Sequence, residues 1–195
     1  MTDEYVGSLM KRLMDFLAAI LGLLLAFPFM VIIAIVIRCT SPGPAFFVQT
    51  RVGLHERPFK CLKFRTMAFG TPDVASHDAS TSWITPLGKR LRLYKLDELP
   101  QLINVLKGDM SLVGPRPCLP TQSAVVFERR QQNVFAVRPG ITGVAQLAGI
   151  DMSEPARLAL ADRKYVDTRS IRGDVLIILR TIFGGGRGDA ASKFP

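Results

Sequence analysis

The apolar stretch FLAAILGLLLAFPFMVIIAIVI, from Phe16 to Ile37, decides how this chain folds. Its 22 residues carry no charge, and 20 of them are hydrophobic. A helix rising about 1.5 Å per residue would make this stretch about 33 Å long, enough to cross the hydrocarbon core of a bilayer. No small-residue cleavage site follows, and Arg38 restores charge at once, which argues against a secretory signal. The stretch therefore predicts a membrane-associated helix.

A proline near the middle of the stretch leaves two arrangements open. Pro28 lacks a backbone donor and clashes with the preceding turn, so it favours a bend at Phe27–Pro28. Cations flank the stretch on both sides: Lys11, Arg12, Arg38 and Arg51. This symmetry gives no preferred direction across a membrane. We predict a re-entrant helix that returns to its own side, and a Pro-kinked spanning helix is the alternative.

The remainder of the 195-residue chain has the composition of a basic globular domain. About 43% of the residues outside the stretch are hydrophobic, an ordinary value for a soluble domain. The whole chain has a net charge of +9, and residues 1–37 contribute −1 of it, so the excess lies beyond them. Its three cysteines, Cys39, Cys61 and Cys118, form no CxxC pair, which argues against a disulfide framework or a zinc module.

Turn signals and periodicity divide the rest of the chain into short elements. Two strands, Ala45–Arg51 and Pro58–Arg65, flank a turn, and residues 70–82 have the composition of a loop. A basic amphipathic helix over Ile84–Leu96 suits an anionic membrane face, although a solvated helix has the same pattern. Further helices are predicted at about residues 98–107, 121–133, 155–168 and 173–183.

These elements predict an α+β fold that is mainly helical. It combines an N-terminal re-entrant membrane helix hairpin, a short β-hairpin and amphipathic interfacial helices around a small cytoplasmic catalytic domain. The predicted boundaries are a membrane anchor at residues 1–40, a catalytic domain at 41–183 and a flexible tail at 184–195.

Two adjacent carboxylates, Asp97 and Glu98, open an apolar helical pattern. One interpretation is structural, with Asp97 as the helix N-cap and Glu98 complementing the helix dipole. The other is chemical, because a carboxylate beside unpaired N–H groups can attack phosphorus and form an acyl phosphate. Spacing alone does not separate the two.

Three basic segments could bind phosphate. Arg116 lies between two prolines in Gly114–Pro117, which restrict its backbone and suit bidentate phosphate contact, although an ion pair would suit it equally. Arg138 precedes a glycine turn that lacks P-loop spacing. Lys63 and Arg65 share one face of a strand.

The order of these segments resembles the bacterial sugar transferase family, and within it the small monotopic phosphoglycosyl transferases. The segments are Lys11-Arg12-x-x-Asp15, KFRTM at Lys63–Met67, Leu96–Gln101 continuing to Gly108, GPRP at Gly114–Pro117 and RPGITG at Arg138–Gly143. The resemblance extends from about residue 9 to residue 183. One departure is Phe27-Pro28, where the family often has Ser-Pro, so no serine hydroxyl can bond the carbonyl that proline frees.

The resemblance implies a reaction and the residues for it. Members transfer a phosphosugar from a UDP-sugar to polyprenyl (undecaprenyl) phosphate with Mg²⁺ and release UMP. By this match Asp97 is the nucleophile of an Asp97–Glu98 dyad, and both carboxylates are candidate Mg²⁺ ligands. The other matched positions are Lys63, Arg92, Arg116 and Arg138, which would bind phosphate, and Asp162, which would support the site.

The resemblance also implies partners and a location. We expect an N-acetylated hexosamine as the sugar, membrane lipids around the anchor, downstream glycosyltransferases that use the product, and a catalytic domain on the cytoplasmic face of the bacterial inner membrane. The alternative is a non-catalytic membrane-bound adaptor of glycan assembly. We expect no nucleic-acid partner, because the sequence lacks a recognisable reading motif or an aromatic stacking platform.

Overall fold

The computed structural model describes residues 2–72 and 81–184. Within these residues the chain forms seven α-helices: α1 Thr2–Thr40, α2 Pro86–Leu93, α3 Gln101–Lys107, α4 Ser123–Gln131, α5 Val144–Leu147, α6 Pro155–Thr168 and α7 Ile171–Ile182. It also forms four strands: β1 Phe46–Val52, β2 Pro58–Phe64, β3 Ser111–Val113 and β4 Gly140–Thr142. An α+β class with mainly helical content is confirmed. The predicted tail lies outside the described residues except for Gly184, as does most of the predicted loop at 70–82.

The apolar stretch lies within one continuous helix, α1, of 39 residues. Pro28 is inside it, and the helical assignment continues on both sides of the proline. The predicted helix hairpin therefore has no counterpart in the secondary structure, since no turn divides α1 into two helices. By length and composition alone, Leu9–Thr40 is long and apolar enough to cross a membrane.

One stripe of α1 packs along the globular part of the molecule. Near its start, Ala19 is fully buried against Val105 and Met110, and the side chain of Leu102 lies close to Gly22. Further along, Met30 and Ile37 pack with residues from the hairpin and α2 in a second cluster: Ala45, Phe64 and Leu91. The helical repeat brings these positions to one side of α1, and the opposite side is exposed.

A buried polar network fixes the start of this stripe. Lys11 contacts Asp15 at 2.7 Å and Asp174 of α7 at 3.0 Å. Asp15 accepts a hydrogen bond from the Ser111 hydroxyl at 2.8 Å, and the Tyr165 hydroxyl donates to Asp174 at 3.1 Å. Helix α1 is thus tied directly to β3 and α7 by charged and polar contacts, and to α6 indirectly through Asp174.

Two small sheets support the loops around the candidate site. β1 and β2 pair antiparallel, with Phe46 opposite Phe64 and Val52 opposite Pro58, which confirms the predicted hairpin. β3 and β4 pair in parallel through Ser111 and Gly140. This second sheet was not predicted, because its strands have three residues each and are distant in sequence.

The helix predictions are mostly confirmed, with shifted ends. α6 matches the predicted span, while α7 begins at Ile171 because the Ser170 side chain caps it by accepting from the Gly173 N–H at 3.1 Å. α3 begins at Gln101, later than predicted. A 3₁₀ turn, Leu96–Glu98, takes the place of the first helical residues, and Pro100, which has no N–H to donate, occupies the N-cap position of α3.

Candidate active site

The two adjacent carboxylates lie in the 3₁₀ turn Leu96–Glu98, between α2 and α3. Lys95 ends the preceding segment in the left-handed region, with φ of 56°, and so redirects the chain into this turn. Asp97 and Glu98 are both buried, each with 8% of its surface exposed. Neither carboxylate caps α3, whose N-cap position is Pro100. The N-cap interpretation of Asp97 is therefore wrong.

Glu98 forms the centre of a cation cluster. Its Oε1 accepts from Lys63 Nζ at 2.7 Å and from Arg116 Nη2 at 3.1 Å. Burial by itself would raise the pKa of Glu98, but Arg116 and Lys63 outweigh it and hold the pKa far below the usual range for glutamate. Glu98 is consequently a carboxylate at neutral pH.

Asp97 has the opposite electrostatic balance. Burial is the largest influence, and together with the negative charge of Glu98 it raises the pKa of Asp97. Lys63, Arg92 and Arg116 act in the opposite direction without cancelling this effect. Two neighbouring carboxyl groups whose pKa values are pushed apart are typical of sites where each has a different task.

Arg92 extends the cluster from the last turn of α2. Its Nε donates to the Thr66 hydroxyl at 3.0 Å, and burial lowers the pKa of its guanidinium. Gly88 permits this placement, because a Cβ there would lie 2.0 Å from the Thr66 carbonyl oxygen. The structure thus brings together Lys63, Arg92 and Arg116 around Asp97 and Glu98.

Arg138 and Asp162 are not brought into this cluster. Arg138 Nε donates to the Gly108 carbonyl at 2.8 Å, at the end of α3 opposite Asp97. Asp162 is buried in α6, where its Oδ2 accepts from Arg129 Nε at 2.9 Å and Nη2 at 2.6 Å. Any support that Asp162 gives the site must therefore pass through Arg129.

Several residues have contacts that the sequence interpretation did not predict. Arg51, interpreted as a cation flanking the apolar stretch, is buried and donates to the Pro117 carbonyl at 3.0 Å. Arg65 donates to the carbonyls of Ser41, at 2.9 Å, and Pro42, so it fixes the segment after α1. Arg129 was missed, although its spacing of four from the apolar Val125 is a helical signal that could have identified its buried face.

The acidic residues offer a limited donor set for a metal ion. Among the described residues, no three His, Cys, Asp or Glu side chains lie close enough to hold one. Mg²⁺ commonly takes only one or two protein carboxylates and completes its shell with water and substrate phosphate oxygens. Asp97 and Glu98 fit that requirement only in part, because Oε1 of Glu98 already faces two cations.

Comparison with known proteins gives consistent matches over most of the chain. The bacterial sugar transferase family matches residues 6–186. The UDP-glucose:undecaprenyl-phosphate glucose-1-phosphate transferase of Caulobacter vibrioides is 42% identical over 183 residues, which are 89% of this chain and 68% of that protein. The exopolysaccharide production protein ExoY of Rhizobium meliloti is 36% identical over 91% of this chain and 85% of its own length.

A third relative is a longer protein. The UDP-N-acetylgalactosamine-undecaprenyl-phosphate N-acetylgalactosaminephosphotransferase of Aeromonas hydrophila is 38% identical over 91% of this chain, which corresponds to 44% of that protein. The matches cover the apolar helix, the Asp97–Glu98 turn and the basic segments together. They confirm the resemblance seen in the order of the motifs, and the chain belongs to the bacterial sugar transferase family.

Proposed function

We propose that this protein is a polyprenyl-phosphate phosphoglycosyl transferase, which moves a phosphosugar from a UDP-sugar to undecaprenyl phosphate. The observation that carries the proposal is the buried pair Asp97–Glu98 surrounded by Lys63, Arg92 and Arg116. A site of this kind can hold a diphosphate, because three cations offset its charge while one carboxylate is kept as a reactant. The names of the relatives support the same substrate class.

In the first step the carboxylate of Asp97 attacks the β-phosphorus of the UDP-sugar. The new Asp97 O–P bond forms as the bond between the β-phosphorus and the bridging oxygen breaks, and UMP leaves with that oxygen. Lys63, Arg92 and Arg116 compensate the charge that develops on the phosphoryl oxygens and on UMP. Glu98 keeps Lys63 and Arg116 in place through its contacts with both.

In the second step a phosphate oxygen of undecaprenyl phosphate attacks the same phosphorus. The aspartyl–phosphorus bond breaks, Asp97 is regenerated as a carboxylate, and the product is undecaprenyl-diphosphate-sugar. Division into two displacements lets each anionic substrate use the same cations in turn. The product is then a substrate for downstream glycosyltransferases.

Magnesium is part of this proposal. Asp97 and Glu98 are the residues that would hold it, together with oxygens of the substrate. When bound, Mg²⁺ supplies further neutralisation of the diphosphate charge.

Membrane attachment through α1 from one side of the bilayer is also proposed. The packed stripe runs from Ala19 to Ile37, so one side of the apolar stretch contacts the globular part along most of its length. A crossing helix would require α3 and the hairpin to enter the bilayer with it. Entry of the exposed face alone, including Leu24, Leu25 and Phe27, requires no polar element to leave water.

The location follows from the substrates. UDP-sugars are cytoplasmic compounds in bacteria, and we therefore propose the cytoplasmic face of the inner membrane. Labelling of single cysteines introduced before residue 12 and after residue 44, in oriented vesicles, tests this topology. Labelling of both positions from the same side is expected, and labelling from opposite sides would contradict one-sided attachment.

The covalent step is tested by incubating the purified protein with a UDP-sugar labelled in the β-phosphate, without undecaprenyl phosphate. We expect about one equivalent of label on the protein and an equal burst of UMP. Asp97→Asn should abolish both signals, whereas the exposed Asp167→Asn on α6 serves as the matched control and should retain them. Turnover by Asp97→Asn would refute the nucleophile, and no UMP release from any UDP-sugar would favour a non-catalytic adaptor.

The sugar itself is proposed only as a class. An N-acetylated hexosamine stays our prediction, and the relatives include transferases named for glucose and for N-acetylgalactosamine. A screen of UDP-glucose, UDP-galactose and their N-acetylamino counterparts by UMP release decides between them. Preference for a plain hexose would overturn the hexosamine prediction without affecting the reaction class.

A further inference from the structure

The backbone around Arg116 is held at four consecutive carbonyl groups. The carbonyls accept hydrogen bonds from three other parts of the chain: β4 provides Gly140 N to Pro115 at 2.9 Å, and α4 provides Arg129 Nη1 to Arg116 at 2.7 Å. The end of β1 provides the other two donors, Arg51 Nη1 to Pro117 at 3.0 Å and Val52 N to Cys118 at 2.9 Å. The two prolines additionally fix φ on either side of Arg116. The backbone that carries the Arg116 side chain is therefore restrained from Pro115 to Cys118.

Arg129 provides the restraint on Arg116 itself. It is only 2% exposed, and it pairs with the equally buried Asp162 through Nε and Nη2. The third nitrogen, Nη1, donates to the Arg116 carbonyl. A buried ion pair often stabilises a fold no more than apolar side chains of similar volume would, so stability alone does not account for this arrangement.

A planar guanidinium can serve two partners in a fixed relative orientation, which an ammonium cannot do equally well. Asp162 sets the plane of Arg129 through two nitrogens, and that plane aims Nη1 at the carbonyl. The side chain of Arg116 then extends from the fixed backbone to Glu98 Oε1 at 3.1 Å. A chain of contacts thus leads from α6 through α4 to the cation cluster.

We infer that Arg129 and Asp162 are positioning residues for the transfer reaction, which hold Arg116 in the orientation in which its guanidinium contacts the diphosphate. Arg129 itself does not touch substrate, because its guanidinium is enclosed by Asp162 and the Arg116 backbone. This inference rests on the proposed function for its catalytic consequence. The restraint of the Arg116 side chain can be measured separately, without enzymatic turnover.

The test removes the pair as a unit. The double variant Arg129→Met/Asp162→Leu leaves no buried charge without a partner, so the fold is expected to be retained while the Arg116 carbonyl loses its donor. The matched control is Arg130→Met/Glu56→Leu, which removes an ion pair at the surface between the next residue of α4 and the turn after β1. Thermal unfolding of both variants in detergent reports whether each is folded.

The kinetic readout is the kcat for UMP release in each variant. We expect a fall of about 10- to 100-fold in the Arg129/Asp162 variant, typical of a displaced catalytic group, and no change in the control. In an Arg116→Ala background the same double change should lower kcat little further, because there is no guanidinium left to position. An equal fall in both backgrounds would show a merely structural role and overturn the inference.

The second readout is independent of activity. In protein labelled with ¹⁵N-arginine, the Nε–H signal of Arg116 is assigned by its loss in Arg116→Lys, and its heteronuclear NOE reports side-chain order. We expect an ordered signal in the native chain and in the control, and a mobile one in the Arg129/Asp162 variant. An Arg116 signal that is equally ordered in all three would refute positioning. If the native chain releases no UMP, the proposed function fails and this measurement still decides the restraint.

Discussion

At the residue scale, the adjacent carboxyl groups of Asp97 and Glu98 have pKa values shifted in opposite directions. Both are buried in the same turn, yet Lys63 and Arg116 contact Glu98 directly, while Asp97 is influenced most by burial and by its neighbour's charge. Glu98 is consequently ionised in the folded protein over the whole physiological range. Asp97 is the carboxyl group of the pair whose pKa is raised, and a protonated carboxyl group cannot attack phosphorus.

The pH dependence of the first transfer step follows from this difference. UMP release should fall as pH decreases through the raised pKa of Asp97, so the acidic limb lies above the ordinary aspartate value of 3.8. Because Lys63 lowers the pKa of Asp97, Lys63→Met should move this limb to higher pH. Single-turnover UMP release measured across pH checks both statements. An acidic limb that is unaltered in Lys63→Met would contradict the assignment to Asp97.

The residues of the site differ in how far the sequence alone could identify them. Asp97, Lys63 and Arg116 lie in short motifs whose order along the chain carries the resemblance. The partnership of Arg129 and Asp162 joins residues 33 apart on two helices, so no local pattern contains it. The same reason explains Arg51, whose partner Pro117 is 66 residues away. Local chemistry was predictable, whereas the long-range support of the site was not.

At the element scale, α1 has one face packed against the rest of the protein and an opposite face that is exposed. Ala19 is fully buried and Gly22 lies close to the side chain of Leu102, so small residues let α1 approach α3. On the other side Leu24, Leu25 and Phe29 each have more than 60% of their surface exposed. The sequence predicted the helix, since 20 apolar residues dominate it, but not this division, because nearly every position is apolar.

A substitution on each face tests the division. Ala19→Leu inserts three carbon atoms into the α1–α3 contact and should destabilise the fold by about 1–3 kcal/mol through overpacking. Leu25→Phe enlarges an exposed side chain and should leave the unfolding temperature in detergent unchanged. Thermal unfolding followed by circular dichroism measures both. Equal effects of the two changes would mean that the packed face has been assigned wrongly.

At the scale of the whole molecule, the predicted anchor and the predicted catalytic domain share their core. Residues of α1 contribute to two of the buried clusters, one with Val105 and Met110 and one with Phe64 and Leu91. The boundary predicted near residue 40 marks a change in sequence composition, but residues on its two sides pack in the same clusters. The network of Lys11, Asp15 and Asp174 adds a polar connection to the same junction.

Removal of residues 1–40 tests this dependence. The shortened chain would expose the faces of α3 and the hairpin that α1 covers, so we expect aggregation and loss of cooperative unfolding. Size-exclusion chromatography and thermal unfolding, with the complete chain in the same detergent as the control, provide the measurement. A monodisperse and cooperatively folded product would show that the catalytic part is an independent domain.

The packing of α1 beside the Asp97–Glu98 turn also bears on the proposed reaction. Leu99 packs in the same cluster as Leu23 and Ala26, near the midpoint of the apolar stretch, and it lies two residues after Asp97. Asp97, the proposed nucleophile, is thereby linked to a particular level of α1. In the proposed one-sided attachment, the depth of α1 in lipid sets the height of Asp97 relative to the phosphate headgroups. The protein can then present its carboxylate at the depth where a lipid-bound phosphate resides.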